Sequence, residues 1–90
     1  MLKTFSIIVT GKVQGVYYRQ STREKAVELG LTGIVQNRPD GSVHIIATGT
    51  GEQLNQLVAW CRQGPARAVV TGVQVEVKEP HGFDGFSVLR

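Results

Sequence analysis

The chain has 90 residues, 41% hydrophobic and 19% charged, which makes one domain spanning residues 1–90: too short for two cores, long enough to bury roughly 60–65% of the surface of its unfolded chain. The hydrophobic share excludes intrinsic disorder, and no apolar run approaches the ~18 residues of a membrane-spanning helix. The N-terminus lacks the roughly 7–15-residue apolar stretch of a secretion signal, so a cytoplasmic protein with no membrane partner is expected. One cysteine, Cys61, excludes an intrachain disulfide and a Cys-rich zinc site, and the formal net charge of +3 leans toward anionic partners.

Lys3 to Thr10 alternates Phe5, Ile7 and Val9, the period of a strand with one face inward. Gly11 and Gly15 bracket a loop. Arg19 to Gly30 reads as a helix with Thr22, Ala26 and Leu29 on one face and Gly30 as its stop. Thr32 to Asn37 and Ser42 to Thr48 are two strands, the second alternating Val43, Ile45 and Ala47. Arg38-Pro39-Asp40-Gly41 between them is a hairpin turn. Thr50 and Gln53 form a capping-box pattern opening a helix whose apolar stripe is Leu54, Leu57, Val58 and Cys61, with Trp60 beside it and Gly64-Pro65 after it. Cys61, inside that stripe, is expected to be a small buried hydrophobe, and Tyr18, Trp60 and Phe86 are expected in the core. Val73, Val75 and Val77 alternate in a fourth strand, and Phe86-Ser87-Val88 closes the chain with a short one. The order βαββαβ with a short C-terminal strand predicts a ferredoxin-like α+β sandwich, two helices on one face of a mostly antiparallel sheet.

Lengths then point to a site. A first helix of about 11 residues descends roughly 16 Å at 1.5 Å per residue. The six-residue strand after it climbs back about 20 Å. Asn37 therefore returns to the edge where Arg19 starts, and the first strand delivers the glycine loop to the same edge. Backbone N–H groups at a helix N-terminus after a tight glycine loop suit an anion. Arg19 adds a planar fork for phosphate or carboxylate oxygens, and Asn37 a neutral group able to orient water. A cation in a first helical turn opposes the helix dipole by roughly 0.3–1 kcal/mol, which calls for an anion nearby. From the residues alone, Asn37 is equally a residue that opens the Pro39 turn.

Other motifs fail. Gly11-x-x-x-Gly15 lacks the trailing Gly-Lys-Ser/Thr of a P-loop, and Leu54 stands where a dinucleotide fingerprint after Gly49 and Gly51 needs glycine. No strand carries the aromatic run of an RNA-binding ferredoxin-like module, no Gly-x-Ser-x-Gly elbow occurs, and His44 and His81 have no ligand-spaced partner, so no metal site is expected.

Gly11-Lys12-Val13-Gln14-Gly15-Val16-Tyr17-Tyr18-Arg19 resembles the acylphosphatase signature G-x-V-Q-G-V-x-F-R, with Tyr18 for the usual Phe. Gly33-Ile34-Val35-Gln36-Asn37, followed by Gly41, Val43 and Gly49, is similar to the second signature, with Ile34 for the usual aromatic. The match covers essentially the whole chain. The resemblance implies hydrolysis of a small-molecule acyl phosphate to a carboxylate and inorganic phosphate, without metal or cofactor and with phosphate as product and inhibitor. It implies that the N–H groups of Gly15, Val16, Tyr17, Tyr18 and Arg19 and the Arg19 guanidinium hold the phosphoryl group while Asn37 orients the water. A substrate-assisted route then follows, a phosphate oxygen taking the proton of the water. Lys12, Arg23 and Arg38 are read as a solvated rim that steers anions, and Gln14, Tyr17 and Thr22 carry no assigned role. A monomer is expected, without a nucleic-acid partner. The competing readings are a non-catalytic anion-sensing module on the same loop and a small nucleic-acid binder resting on charge and fold alone.

Overall fold

The computed structural model describes residues 1–89. Its elements in chain order are β1 (Lys3–Lys12), α1 (Tyr18–Glu28), β2 (Thr32–Asn37), β3 (Val43–Gly49), α2 (Gly51–Cys61), β4 (Val69–Lys78) and β5 (Phe86–Val88). They form one five-stranded sheet in the order β4-β1-β3-β2-β5, antiparallel except for β5, which runs parallel to β2. Both helices pack on one face. This is the expected ferredoxin-like sandwich with its short closing strand. No helix among the described residues is long and apolar enough to cross a membrane.

β1 is paired along both sides, with β3 and with β4, and its alternation puts Phe5, Ile7 and Val9 into the core beside Val43, Ile45 and Ala47 of β3. Leu54, Leu57 and Cys61 of α2 and Tyr18 and Ala26 of α1 close over them. Burial pushes the Cys61 thiol up to about 12, so it is the inert small hydrophobe expected from its place in the stripe. Trp60 is a partial exception to the core expectation: it is half-buried, packed against the core with its ring 5.4 Å from that of Tyr18.

The helix signals hold at the level of single bonds. The Thr50 hydroxyl accepts from the Gln53 N–H at 3.2 Å, and the Gln53 side-chain oxygen accepts from the Thr50 N–H at 2.9 Å. α1 ends in paired reverse bonds, Leu31 N–H to Ala26 O and Gly30 N–H to Val27 O, with Gly30 at φ 79°. Thr22, a polar residue on the buried face of α1, satisfies its hydroxyl by donating to Tyr18 O at 2.8 Å.

Two elements differ from the sequence expectation. β1 runs on through Gly11 to Lys12 because a bulge between Thr10 and Gly11 shifts its register against β4 and keeps the pairing. Gly11 sits there at φ 120°, where a side chain would run into the Val69 carbonyl. Of the alternating valines of β4, Val73 packs against the core, whereas Val75 and Val77 are 40% and 65% exposed on this edge strand.

The segment 79–85 has to cross the sheet from the β4 edge to the β5 edge, and a threonine clip fastens it on the face away from the helices. The His81 N–H donates to the Thr4 hydroxyl at 2.9 Å, Thr4 and Thr48 share a 2.6 Å hydroxyl pair, and the Thr48 hydroxyl donates to His81 O at 2.5 Å. Both threonines are buried and every one of these groups is satisfied. Thr48→Val keeps the shape but leaves the His81 carbonyl without its donor and the Thr4 hydroxyl proton without its acceptor, so it should lower unfolding free energy by about 1–3 kcal/mol in urea denaturation.

Candidate active site

The end of β1, the start of α1 and the end of β2 converge on a cleft of about 180 Å³, lined by Val13, Gly15, Tyr17, Tyr18, Arg19, Gln20, Asn37 and Val88. The structure thus brings Arg19 and Asn37, eighteen positions apart in the sequence, to one cavity together with the glycine loop. Larger hollows lie elsewhere. One of about 360 Å³ beside α1 is lined in part by Glu24, Lys25 and Glu28, and one of about 550 Å³ over the open sheet face by Ser6, Gln74 and Glu76. Their carboxylates disfavour an anion, and only the smaller cleft offers a helix N-terminus with an arginine.

The loop wraps tightly at that N-terminus. Gly15 has φ 74°, and Tyr17, at the N-cap of α1, adopts φ 67° and ψ 22°, the left-handed region that non-glycine residues rarely occupy. Tyr17 makes no side-chain cap, and the first turn of α1 carries no acidic residue. Among the described residues, the N–H groups from Gly15 to Arg19 have no acceptor. That leaves a cluster of donors and a positive dipole end open to an anion. A Cβ on Gly15 would meet nothing within 4 Å, so the residue leaves open space above the loop rather than relieving a clash.

Arg19 reaches across to the C-terminal end of the chain, its Nη1 donating to Leu89 O at 2.7 Å. Leu89 is itself held by its N–H on Val35 O at 2.8 Å, so the arginine is referenced to β2, the strand that carries Asn37. Asn37 lies opposite Val43 on the core side of β2, and its Oδ1 is buried without a partner among the described residues. A buried unpaired acceptor costs about 1–3 kcal/mol, and a water molecule is the natural donor to relieve it. Among the described residues no Asp, Glu or His lines the cleft.

Three other residues take part that sequence reasoning left without this role. Gln14 donates both amide hydrogens, to Arg38 O and Ser42 O at 2.8 Å each, and so ties the loop to the β2–β3 turn. Continuing the register that pairs Val9 with Val43 brings Gln14 opposite Arg38, a signal available once the β1–β3 pairing is known. Arg23 is more than a solvated rim residue, since its Nε donates to Phe86 O at 3.1 Å and fixes α1 to β5. Tyr18, which replaces the usual Phe, finds a partner for its buried hydroxyl in Cys61 O at 2.8 Å. Burial raises that phenol far above its ordinary pKa, so it stays a donor. Lys12 and Arg38 remain exposed near the rim. In the turn, Asp40 accepts from the N–H and hydroxyl of Ser42, at 2.9 and 2.6 Å, and these bonds hold its carboxyl below the usual range.

A family model for acylphosphatase matches residues 5–88. The chain belongs to the acylphosphatase family. It is 50% identical over 90 residues to the acylphosphatase of Methylococcus capsulatus, covering 99% of this chain and 98% of that one. Among solved structures it superposes on an acylphosphatase from Coxiella burnetii with a TM-score of 0.95 at 38% identity, covering 98% and 93% of the two chains. The acylphosphatase from Bacillus subtilis gives a TM-score of 0.95 at 35% identity over the full length of both chains.

Within this acylphosphatase fold the Tyr18 hydroxyl joins the start of the loop's helix to the end of α2. Tyr18→Phe leaves Cys61 O without that donor, and the urea-unfolding free energy should fall by about 1 kcal/mol.

Proposed function

We propose that the protein hydrolyses acyl phosphates to a carboxylate and inorganic phosphate, with no metal or cofactor. One observation carries this reading: free N–H groups at the start of α1, the Arg19 guanidinium and the orphaned Asn37 Oδ1 face one small cleft. The N–H groups of Gly15 to Arg19 and the Arg19 fork hold the nonbridging phosphoryl oxygens. Asn37 Oδ1 accepts a hydrogen bond from a water and turns its lone pair toward phosphorus. The water oxygen forms the new P–O bond while the bond from phosphorus to the acyl oxygen breaks, its electron pair leaving on the carboxylate. The proton released by the water passes to a phosphoryl oxygen, so dihydrogen phosphate and carboxylate are the products. The lack of a carboxylate or imidazole among the described lining residues agrees with this substrate-assisted path, in which positioning and electrostatics supply the catalysis. The site is complete within one chain, and the reading requires neither a second copy nor a nucleic acid.

The test is steady-state hydrolysis of benzoyl phosphate in excess EDTA. Turnover should survive the chelator. Arg19→Gln should lose more than ~100-fold in kcat/KM together with inhibition by phosphate, because it removes binding of ground and transition states alike. Asn37→Ala should lose more than ~100-fold in kcat while phosphate inhibition stays within about threefold, because it positions water and not the anion. A folded wild-type protein that binds phosphate but turns nothing over would be an anion-sensing module instead.

A further inference from the structure

We propose that the Tyr17 side chain is the acyl-group selector of the site, its exposed ring giving aryl and other extended apolar acyl phosphates an advantage over acetyl phosphate. The inference rests on the hydrolytic reading above and deepens it. In-line displacement places the leaving oxygen opposite the attacking water. Asn37 Oδ1 is buried, so the water it orients lies on the inner side of the phosphoryl group. The acyl substituent must then project outward, past the lip of the cleft. Tyr17 stands on that lip, 63% exposed, while its neighbours Val13 and Tyr18 in the lining are buried.

Two further features set this ring apart from an ordinary surface tyrosine. The left-handed backbone of Tyr17 is strain that a glycine would avoid, held at a residue that lines the cleft. The phenol is steadied at its far end, its hydroxyl donating at 3.2 Å to Glu24, seven residues on along α1. A ring fixed at its far end loses little rotamer freedom when an apolar group lies against it, and aromatic pairs gain beyond the area they bury.

Tyr17→Asn suits the left-handed backbone and removes the ring. The readout is the ratio of kcat/KM for benzoyl phosphate to that for acetyl phosphate. It should fall about 3- to 10-fold, the range expected for loss of one aromatic contact. Tyr17→Phe keeps the ring and should retain most of the ratio. Independently of any variant, the ring signals of Tyr17 in NMR spectra of the wild type should shift on titration with phenylphosphonate and stay in place with methylphosphonate. A wild type active on both substrates whose ratio is unmoved by Tyr17→Asn overturns the inference alone. So does a Tyr17→Phe protein that loses the ratio as fully, or a ring whose signals ignore phenylphosphonate. A wild type that hydrolyses neither substrate overturns the underlying reading and this inference with it.

Discussion

The pairing of β1 along both of its sides is the constraint from which the rest of the structure follows. A strand bonded to β3 on one edge and β4 on the other cannot slide without turning Phe5, Ile7 and Val9 out of the core, since a shift of one residue exchanges the two faces. Its end is therefore fixed in space, and so is the start of the loop it delivers. The bulge at Gly11 carries the strand two residues further than its alternation suggests, which shortens the free loop to residues 13–17. So short a loop, with Gly15 and Tyr17 both at positive φ, has little freedom, and its donors arrive preorganised.

Several local costs gather around this one cleft. Arg19 sits in the first turn of α1 against the helix dipole, Tyr17 holds a left-handed backbone, and Asn37 buries an unpaired oxygen. Each is unfavourable in the free protein, and each is the kind of local violation that concentrates where a fold serves chemistry rather than stability. The surroundings over-determine them. Gln14 bonds the loop to the β2–β3 turn, Tyr18 bonds the helix start to α2, and Arg19 and Arg23 bond to backbone carbonyls at the C-terminal end of the chain. These ties all run from side chain to backbone, so they fix positions without adding any charge that competes with an anion.

Much of this was legible in the sequence, because it depends on short-range rules. The helix boundaries, the Thr50 capping box, the Gly30 stop and the 38–41 turn each have a local chemical cause, and the return of Asn37 to Arg19 follows from rise per residue alone. What escaped the sequence depends on pairing between distant strands. The extension of β1 needs Val69 and Val70 as partners, and the exposure of Val75 and Val77 needs the knowledge that β4 is an edge. The roles of Gln14 and Arg23 need the carbonyls of Arg38, Ser42 and Phe86, which no spacing rule places nearby. Trp60 is half-buried for a simpler reason: a large ring beside a helical stripe packs against the core and leaves part of itself in solvent.

The chemistry of the leaving group explains how so small a site suffices on the proposed reading. A carboxylate is a weak base, so the bond from phosphorus to an acyl oxygen can break without a proton being supplied. An alkyl phosphate would expel an alkoxide, which needs a general acid, and no carboxyl or imidazole stands among the described residues that line this cleft. The selectivity for acyl over alkyl phosphates then comes from what the lining omits rather than from a pocket that measures the substrate. On the same proposed reading, recognition of the phosphoryl group is left to backbone donors and one arginine, and discrimination among acyl groups to a side chain at the lip. That division leaves the buried half of the site to fix geometry and the exposed half to set preference.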